Sequence, residues 1–529
     1  MAFENEHTFQ KFVISKEEES FHEQYEQAIR DVKSEFGRQY PIIIGSKKIK
    51  TKSKFTHLSP LDSRIALGYF PRSRPEDTRN AIKAARNSFK VWSKYDYKKR
   101  IEICRAAGDI LSRRKFELAA WLSYENGKNR YEAMGDIDEA IDFIRYYCEN
   151  MEANGGFSTL TKSAYKTETS RSVMKPFGVW AVIAPFNFPA AILIGMSTGA
   201  LVTGNTIVLK PASNAPVIAY KFAQVMEDAG LPSGVLNLIT GPGAQLGQQI
   251  ARNEDVAGVV FTGSLKAGYE IFKLFNRAKP RPIIAELGGK NPAIVTESAD
   301  LDQAVQGICI AAFGYSGQKC SACSKVYVQR IIKREFVEKL VKKAKNLRLG
   351  NPLEASTFVG PLINIDAYRN YQRYMKMASR DGKVLVGNRI NKSTDLKYGL
   401  YVEPTIVDGL PEGHRLLTDE LFLPILCLVE YESLENALRS CNSSKYGLTA
   451  AIYTRKKEEI EKFFDSIESG VVYVNRALSA TTGAMVGCQS FVGWKRSGTT
   501  GIGAGGPYYL TQFMQEQSQT IANIKSEGD

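Results

Sequence analysis

Two cysteines stand in a C-x-x-C spacing in the segment GQKCSACSK, residues 317–325: Cys320 and Cys323. Three chemistries use this spacing. It can form a redox dithiol, supply half of a zinc site, or contain one nucleophilic thiol with an incidental neighbour. The sequence around the pair must discriminate among these possibilities.

Zinc is the least favoured of the three. A structural zinc ion would need two more ligands close to the pair. The four histidines (residues 7, 22, 57 and 414) are scattered, and the next cysteines downstream, Cys427 and Cys441, are 14 residues apart. We therefore predict no metal site.

A nucleophilic thiol must lose its proton, and papain-like enzymes use histidine for this step. No histidine is placed for that role here, and a G-x-S-x-G hydrolase elbow is absent from the sequence near residues 314–317. A carboxylate that activates water, helped by a helix N-terminus or a cofactor charge, is the alternative. We interpret Cys323 as a small buried residue, although a thiol-disulfide protein using both cysteines remains an alternative.

Length and composition favour a globular protein of two or three domains. The 529 residues carry a net charge of +14, but the basic residues are mixed with acidic ones, which argues against nucleic acid as a partner. Eight cysteines without a framework, and an N-terminus without an apolar leader, predict a cytoplasmic protein. The apolar stretch 178–203 contains Pro185 and Pro189, which would break a membrane helix.

Short apolar runs begin at residues 179, 206, 235, 259 and 282, with helical patterns between them. This alternation predicts a parallel sheet buried on both faces, in a doubly wound, Rossmann-like domain. A second alternating region follows from about 292 to 485, and the tail 507–520 has the composition of a strand. Upstream, residues 97–125 predict a long helix stopped by Asn126-Gly127.

Six motifs occur in the order typical of the aldehyde dehydrogenase superfamily, which the chain resembles over nearly its whole length. They are PFNFP (185–189), KPAS (210–213), FTGS (261–264), ELGGKN (286–291), GQKC (317–320) and ELF (420–422). The resemblance implies an α/β fold with a Rossmann-like cofactor domain, a second α/β catalytic domain and a small β oligomerisation arm. It places these at 1–154 with 174–286, at 287–490, and at 155–173 with 500–525.

Within the superfamily, the chain looks most like the enzymes that oxidise glutamate γ-semialdehyde, which forms from 1-pyrroline-5-carboxylate. The segments that carry this likeness are RRKFELAAW (113–121), EAIDFIRYY (139–147), GQKCSACS (317–324), TTGAMVGCQSF (481–491) and AGGPYYL (504–510). The resemblance implies a homo-oligomer and a proline dehydrogenase as pathway partner. The semialdehydes of succinate and 2-oxoglutarate remain alternative substrates.

Transferred by position, the resemblance assigns three catalytic residues. Cys320 attacks the aldehyde, the amide of Asn187 and the Cys320 backbone N–H hold the oxyanion, and Glu286 activates the water that hydrolyses the thioester. Glu286 precedes Cys320 by 34 residues, as the family pattern requires.

The same resemblance implies NAD as the cofactor. Lys210 and Ser213 would contact the adenosine ribose and Glu420 the nicotinamide ribose. Many NAD-preferring relatives have glutamate at the position of Ser213, so this serine predicts that NADP is also tolerated. The full set of expected cofactor contacts is Ile183, Pro185, Phe186, Lys210, Ser213, Gly243, Phe261, Thr262, Gly263, Ser264, Leu287, Glu420 and Phe422.

For the substrate, the resemblance implies a carboxylate anchor at Ser321, Gly483 and Ala484, and an aliphatic chain held between Phe188 and Phe491. Small residues allow backbone N–H groups to form such an anion site. The chain departs from the family pattern at Leu423, Val492 and Trp494, which changes the expected pocket wall and cofactor loop.

Overall fold

The computed structural model describes residues 4, 7–387, 396–483 and 485–522. Its N-terminal third is mostly helical. The elements of this part are α1 (His7–Ile14), α2 (Glu18–Lys33), β1 (Arg38–Gln39), β2 (Ile42–Ile44), β3 (Lys47–Ile49), β4 (Lys54–Leu58), β5 (Ala66–Pro71), α3 (Pro75–Trp92), α4 (Tyr97–Arg113), α5 (Lys115–Asn126), α6 (Arg130–Ala153), β6 (Ser158–Thr161) and β7 (Glu168–Pro176).

The helix predicted over 97–125 is interrupted at Arg114, where α4 ends and α5 begins. Its predicted end is confirmed. Gly127 follows α5 with φ +79°, a left-handed conformation that glycine adopts without steric penalty. This corner between α5 and α6 lies beside the candidate site described below.

The first sheet is the predicted doubly wound sheet. Its elements are β8 (Val179–Ile183), α7 (Ala191–Val202), β9 (Thr206–Lys210), α8 (Pro216–Asp228), β10 (Leu236–Leu238), α9 (Gly243–Arg252), β11 (Val256–Thr262), α10 (Leu265–Phe275) and β12 (Ile283–Glu286). The strand order is β12-β11-β8-β9-β10-β2-β3, in which β8 to β12 run parallel. The order reverses between β8 and β11, so the ligand crevice is expected at their carboxyl ends.

Helices cover both faces of this sheet, which explains the continuous apolar runs. On β8, Val182 packs into the core on one face and Ala181 into the core on the other. A strand buried on both faces cannot alternate apolar and polar residues.

The second sheet is also mainly parallel, with the order β15-β16-β17-β14-β13-β19-β20. The elements of this part and of the C-terminus are β13 (Asn291–Val295), α11 (Leu301–Phe313), β14 (Cys323–Gln329), α12 (Lys333–Lys345), α13 (Ile365–Asp381), β15 (Lys383–Val386), β16 (Thr405–Asp408), α14 (Arg415–Thr418), β17 (Ile425–Tyr431), α15 (Leu434–Asn442), β18 (Tyr446–Gly447), β19 (Thr449–Tyr453), α16 (Lys457–Ser466), β20 (Val471–Val474), β21 (Trp494–Lys495) and β22 (Met514–Ala522). The second alternating region is thus confirmed. Only β15 pairs antiparallel within this sheet.

The predicted terminal strand is β22, which pairs with β7 along nine residues, from Met514 opposite Pro176 to Ala522 opposite Glu168. With β6 it forms a three-stranded sheet. Residues before β22 pack differently: the ring centroid of Phe513 lies 4.6 Å from that of Trp180 in the first sheet. The domain boundaries themselves stay a prediction.

The described part of the chain contains no helix with the length and apolar character needed to cross a membrane. Within the same residues, no group of three or more histidine, cysteine or acidic side chains is arranged to hold a metal ion.

Candidate active site

The candidate site lies where the two sheets are joined. Glu286 ends β12 of the first sheet, and Cys320 lies three residues before β14 of the second. The junction is held by Ser497, whose carbonyl accepts the Leu287 N–H at 2.8 Å and whose hydroxyl donates to the Gly288 carbonyl at 2.7 Å.

Two residues of the ELGGKN motif, Gly289 and Asn291, contact the backbone of Cys320. The Asn291 amide donates to the Cys320 carbonyl at 2.7 Å and to the Ala322 carbonyl at 3.0 Å. Gly289 packs against the same carbonyl, since a Cβ there would lie 2.5 Å from the Cys320 oxygen. The close approach of the two segments therefore requires glycine at position 289.

The Cys320 thiol is half-buried and lies near two carboxylates. Burial raises the pKa of Cys320 to about 12, and the charges of Glu420 and Glu286 add to that increase. The backbone N–H groups of Ser321 and Cys320 act in the opposite direction. The thiol of the free protein is therefore protonated at neutral pH, and it needs a base or a nearby positive charge to become a nucleophile.

Glu286 is suited to act as that base. Burial raises the pKa of its carboxyl well above the ordinary value, against a hydrogen bond from the Gly493 backbone. Its Oε2 has no hydrogen-bond partner among the described residues. In its ionised form, a carboxylate with a raised pKa is a stronger base than an ordinary glutamate.

Asn187 is buried and lies four residues after the end of β8 in the first sheet, whereas the cysteine segment precedes β14 of the second sheet. Asn126 connects the two sides. Its side-chain amide donates to the Phe186 carbonyl at 3.2 Å, and its own carbonyl accepts the Tyr315 hydroxyl at 3.0 Å. The sequence pattern identified Asn126 only as a helix end, so this connecting role was missed.

A second contact brings the oxyanion and cysteine segments together. Lys319, adjacent to Cys320, places its Nζ 5.9 Å from the ring centroid of Phe188, adjacent to Asn187. These contacts bring the segments of Asn187 and Cys320 together, and the Cys320 thiol lies within electrostatic range of Glu286, so the three predicted catalytic residues belong to one region of the fold. Their roles remain predictions.

The neighbouring Cys323 is different in character. It is buried in the core of the second sheet, and its thiol donates to the Lys325 carbonyl at 3.5 Å. All eight cysteines lie in the described part of the chain, and all are free. The interpretation of Cys323 as a small buried residue is confirmed.

The predicted ribose contacts come together at the carboxyl ends of β9 and β10. Lys210 donates to the Pro211 carbonyl at 2.8 Å, and Ser213 donates to the Gly241 carbonyl at 3.0 Å. A Cβ at Gly243 would lie 3.5 Å from the Lys210 ammonium. Burial lowers the pKa of Lys210 to about 8. This cluster places the Lys210 ammonium and the Ser213 hydroxyl, the two donors expected for a ribose, beside each other.

Two helix N-termini face the same edge of the sheet. Helix α9 begins at Gly243, and α10 begins after Ser264, whose hydroxyl accepts the Ala267 N–H at 3.3 Å. Helix N-termini bind phosphate groups through their free N–H groups and dipole, so this edge fits the pyrophosphate of a dinucleotide.

Other expected cofactor contacts differ in their exposure. Pro185, Thr262 and Gly263 are half-buried at this edge. In contrast, the side chains of Ile183, Phe261 and Leu287 are buried in the core beneath the sheet edge. A Cβ at Gly268 of α10 would lie 2.4 Å from the Leu287 Cδ2. These three residues therefore shape the floor of the site rather than offering side chains to a ligand.

Glu420 and Phe422 enter from the second sheet. Glu420 accepts the Gly289 N–H at 2.9 Å, and burial raises its pKa to about 7. Phe422 has φ +58°, and its ring meets that of Phe186 edge-to-face with centroids 5.7 Å apart. The two aromatic rings meet across the junction of the two sheets, and the donors and helix N-termini at this edge match the polar groups of a dinucleotide.

The expected substrate contacts lie around the cysteine. The Ser321 carbonyl accepts the Thr481 hydroxyl at 2.7 Å, and the Gly483 carbonyl accepts the Tyr473 hydroxyl at 3.0 Å. Gly483 has φ +105°, which favours glycine. Ala484 lies outside the described residues.

The two aromatic residues of the expected substrate pocket belong to different cores. Phe188 packs against the core of the first sheet and Phe491 against that of the second. Of the departures, Leu423 is buried, whereas Trp494 is exposed on β21. Sequence reasoning also missed Lys128, whose ammonium lies 3.6 Å from the Phe188 ring centroid, because a lysine after Asn-Gly is ordinarily solvated.

With this geometry in place, the chain belongs to the aldehyde dehydrogenase family, whose model matches residues 48–519. The prediction of an NAD-dependent aldehyde dehydrogenase is confirmed at the level of the enzyme class. The chain is similar to the 1-pyrroline-5-carboxylate dehydrogenase of Geobacillus thermodenitrificans, with 38% identity over 93% of this chain and 94% of the relative. It is also similar to the 1-pyrroline-5-carboxylate dehydrogenase of Bacillus subtilis, with 37% identity over 97% of this chain and 98% of the relative.

Solved structures of aldehyde dehydrogenases have the same fold as this chain. A 1-pyrroline-5-carboxylate dehydrogenase from Thermus with bound NAD superposes with a TM-score of 0.90 at 33% identity, covering 95% of this chain and 96% of that one. Proline utilization A from Bdellovibrio bacteriovorus has a TM-score of 0.91 at 33% identity, and the match covers 95% of this chain but 52% of that longer one. The aldehyde dehydrogenase fold predicted from the motifs is confirmed.

Proposed function

We propose that this chain oxidises L-glutamate γ-semialdehyde, the open form of 1-pyrroline-5-carboxylate, to L-glutamate with NAD⁺. The relatives from Geobacillus thermodenitrificans and Bacillus subtilis support this substrate. The structural observation that carries the proposal is the position of Cys320, which lies within electrostatic range of Glu286 and Glu420 at the junction of the two sheets.

In the first step, Glu286 takes the thiol proton, the Cys320 sulfur bonds to the aldehyde carbon, and the carbonyl π electrons move to oxygen. The Asn187 side-chain amide and the Cys320 backbone N–H donate to this oxyanion. Two fixed donors at a developing charge each contribute about 3 kcal/mol in a site from which water is excluded. The carbon–sulfur adduct is a thiohemiacetal, which gives up hydride more readily than a free aldehyde.

A bound NAD⁺ would supply the acceptor for the hydride. Glu286, after releasing the thiol proton to solvent, takes a proton from water, the resulting oxygen attacks the thioester carbon, and the carbon–sulfur bond breaks. The thiolate leaves and the carboxylate product is released. The reaction consumes aldehyde, NAD⁺ and water, and yields carboxylate, NADH and two protons.

The amino acid headgroup of the substrate binds beside Cys320, at Ser321 and Gly483. Its carboxylate is held by Ser321 and by the backbone N–H of Gly483. The Thr481 and Tyr473 hydroxyls support this anchor by fixing the carbonyls of Ser321 and Gly483. Phe188 and Phe491, one from each side of the cleft, enclose the aliphatic chain.

For the cofactor, Lys210 and Ser213 hold the adenosine ribose, the N-termini of α9 and α10 hold the pyrophosphate, and Glu420 holds the nicotinamide ribose. Phe422 packs beside it. Because position 213 carries a short neutral side chain, NADP is tolerated as well as NAD.

A homo-oligomer completes the proposal, with the sheet of β6, β7 and β22 as the arm that crosses to a partner subunit. All four residues of β6 are exposed, which leaves an edge free for pairing among the described residues. A proline-oxidising enzyme supplies the substrate, in keeping with the match to about half of a proline utilization A chain. Free cysteines throughout agree with a cytoplasmic location.

Steady-state NAD reduction with 1-pyrroline-5-carboxylate tests the proposal directly. We expect a kcat/KM at least tenfold above that for the semialdehydes of succinate and 2-oxoglutarate. The carboxylate of succinate semialdehyde is one carbon closer to its aldehyde and does not reach the anchor beside Cys320, and 2-oxoglutarate semialdehyde has a planar keto carbon in place of the tetrahedral α-carbon. A tenfold preference for either of these alternatives would refute the glutamate semialdehyde assignment.

A further inference from the structure

A buried ion pair lies directly behind the Asn187 turn. The Lys128 Nζ is 2.9 Å from the Asp136 Oδ2, and neither side chain is exposed to solvent. Burying two charges costs several kcal/mol per ion, and well-packed apolar residues at such a place are often equally or more stabilising. Stability alone therefore does not account for a fully buried pair at this position.

The Asp136 end of the pair holds the start of a helix. Its Oδ1 accepts the Ala191 backbone N–H at 2.8 Å, and Ala191 is the first residue of α7. The first N–H groups of a helix lack partners within it, and a carboxylate there is also favoured by the helix dipole. Asn187 precedes Ala191 by only four residues. Asp136 therefore anchors the C-terminal end of the turn 184–190, which contains Asn187.

The Lys128 end of the pair contacts aromatic rings on both sides of the cleft. Its Nζ lies 3.6 Å from the ring centroid of Phe188 and 5.3 Å from that of Tyr315. A cation over an aromatic face is attracted by the ring quadrupole, and the attraction is stronger when water is excluded. Phe188 adjoins Asn187, while Tyr315 belongs to the segment that leads to Cys320. One ammonium group thus contacts both segments that supply the oxyanion donors.

We propose that the Lys128–Asp136 pair is a positioning device that sets the distance between the Asn187 amide and the Cys320 N–H. This inference rests on the proposed function, which assigns the oxyanion to these two donors. Asp136 fixes the turn from its helical end, and Lys128 fixes it through the Phe188 ring. An oxyanion site loses much of its effect when a donor moves by about 0.5–1 Å, so a rigid support has catalytic value.

A second ion pair on helix α6, the helix that carries Asp136, offers a matched control. Lys115 of α5 and Asp138 of α6 form this largely buried pair, with the Lys115 Nζ 3.4 Å from the Asp138 Oδ1. Its neighbours are Thr8 and Glu4 near the N-terminus rather than the cleft. Removal of this pair perturbs α6 in a similar way without touching the Asn187 turn.

The test compares Lys128→Met, Lys115→Met and the double variant Lys128→Met/Asp136→Asn with the wild type. The double variant is central, because it leaves no lone buried charge and keeps an acceptor for the Ala191 N–H. Each protein is assayed for kcat and for the KM of NAD. Each is also assayed for hydrolysis of 4-nitrophenyl acetate without NAD, and for the rate at which iodoacetamide alkylates Cys320.

We expect the double variant to keep the wild-type Tm within about 3 °C but to lose at least tenfold in kcat and in ester hydrolysis. Both reactions build an oxyanion, whereas alkylation does not. The alkylation rate and the KM of NAD should therefore change less than twofold. Lys115→Met should lose stability while keeping kcat within twofold.

The proposal is overturned if the double variant retains kcat and ester hydrolysis within twofold, or if Lys115→Met loses as much activity as Lys128→Met at an equal loss of Tm. Failure of the proposed function would look different. In that case the wild type would not oxidise 1-pyrroline-5-carboxylate, while the ester and alkylation rates would still report on the pair.

Discussion

The side-chain amide of Asn291 donates a hydrogen bond to the backbone carbonyl of Cys320 at 2.7 Å, so the first residue of β13 holds the segment before β14 that carries the predicted nucleophile. The Asn291 Oδ1 in turn accepts the Thr449 N–H at 3.1 Å. Asn291 thus connects three segments at the amino ends of parallel strands β13, β14 and β19.

The substitution Asn291→Asp should therefore impair catalysis severely. Aspartate keeps the size of the side chain and the acceptor for Thr449, but it loses both donors and places another carboxylate near the thiol, which raises the pKa of Cys320 further. We expect kcat to fall about 100-fold and alkylation of Cys320 at pH 8 to slow. Asn291→Ala, which adds no charge, should lose kcat but alkylate faster than Asn291→Asp. A kcat within threefold of the wild type for both variants would contradict this role.

The two cysteines of the C-x-x-C segment should respond differently to serine substitution. Cys320→Ser removes the thiolate nucleophile and should abolish NAD reduction. Cys323→Ser places a hydroxyl in the core of the second sheet, so it should lower the free energy of unfolding by about 1–3 kcal/mol while kcat changes less than threefold. Loss of activity in a folded Cys323→Ser protein would instead favour the thiol-disulfide alternative.

Most of the fold could be predicted because its signal is local and repeated. Apolar runs at regular spacing identified β8 to β12 and the strands of the second sheet, since a parallel strand buried on both faces must be apolar throughout. The break between α4 and α5 at Arg114 was not visible, because the helical pattern continues across it. The residues of the terminal strand β22 do not themselves indicate its partner, since strand pairing depends on residues distant in sequence. Only the family resemblance grouped 500–525 with 155–173, and β22 does pair with β7, Glu168–Pro176.

The residues of the candidate site likewise fall into those that the sequence predicted and those that only the structure revealed. Cys320, Glu286 and Asn187 lie in short motifs whose residue types match the chemistry, so a pattern can find them. Asn126 and Lys128 lie in a helix corner that is ordinary in sequence, and their significance comes only from segments about 60 and 190 residues away that fold against them. The buried side chains of Phe261 and Leu287 show the opposite limit, because a motif does not tell which atoms face the ligand.

Cofactor choice should depend on position 213, where the Ser213 hydroxyl donates to the Gly241 carbonyl at 3.0 Å beside Lys210. A carboxylate at this place would accept ribose hydroxyls and repel a 2′-phosphate. Ser213→Glu should therefore lower kcat/KM for NADP at least tenfold while changing that for NAD less than threefold. Ser213→Gln, with a similar size but no charge, should discriminate much less. Equal losses for NADP in both variants would point to a steric effect and contradict the electrostatic one.

Glu286 should carry a stability penalty that depends on pH. Burial raises the pKa of this carboxyl well above 4.5, so the folded protein binds its proton more tightly than the unfolded chain does. Between the two pKa values the free energy of unfolding must then fall as pH rises, by at most about 1.4 kcal/mol per pH unit. Below the unfolded pKa both states hold the proton and the penalty disappears.

The neutral isostere Glu286→Gln removes this titration while filling the same space. We expect it to be inactive in thioester hydrolysis but more stable than the wild type at pH 7 and above, with the difference shrinking to zero near pH 4.5. Urea unfolding of both proteins from pH 4.5 to 8 measures this difference directly, and the titration of Glu420, present in both, cancels. A constant difference across that range would mean that Glu286 is not held in an environment that disfavours its charge, and its part as the base would need another explanation.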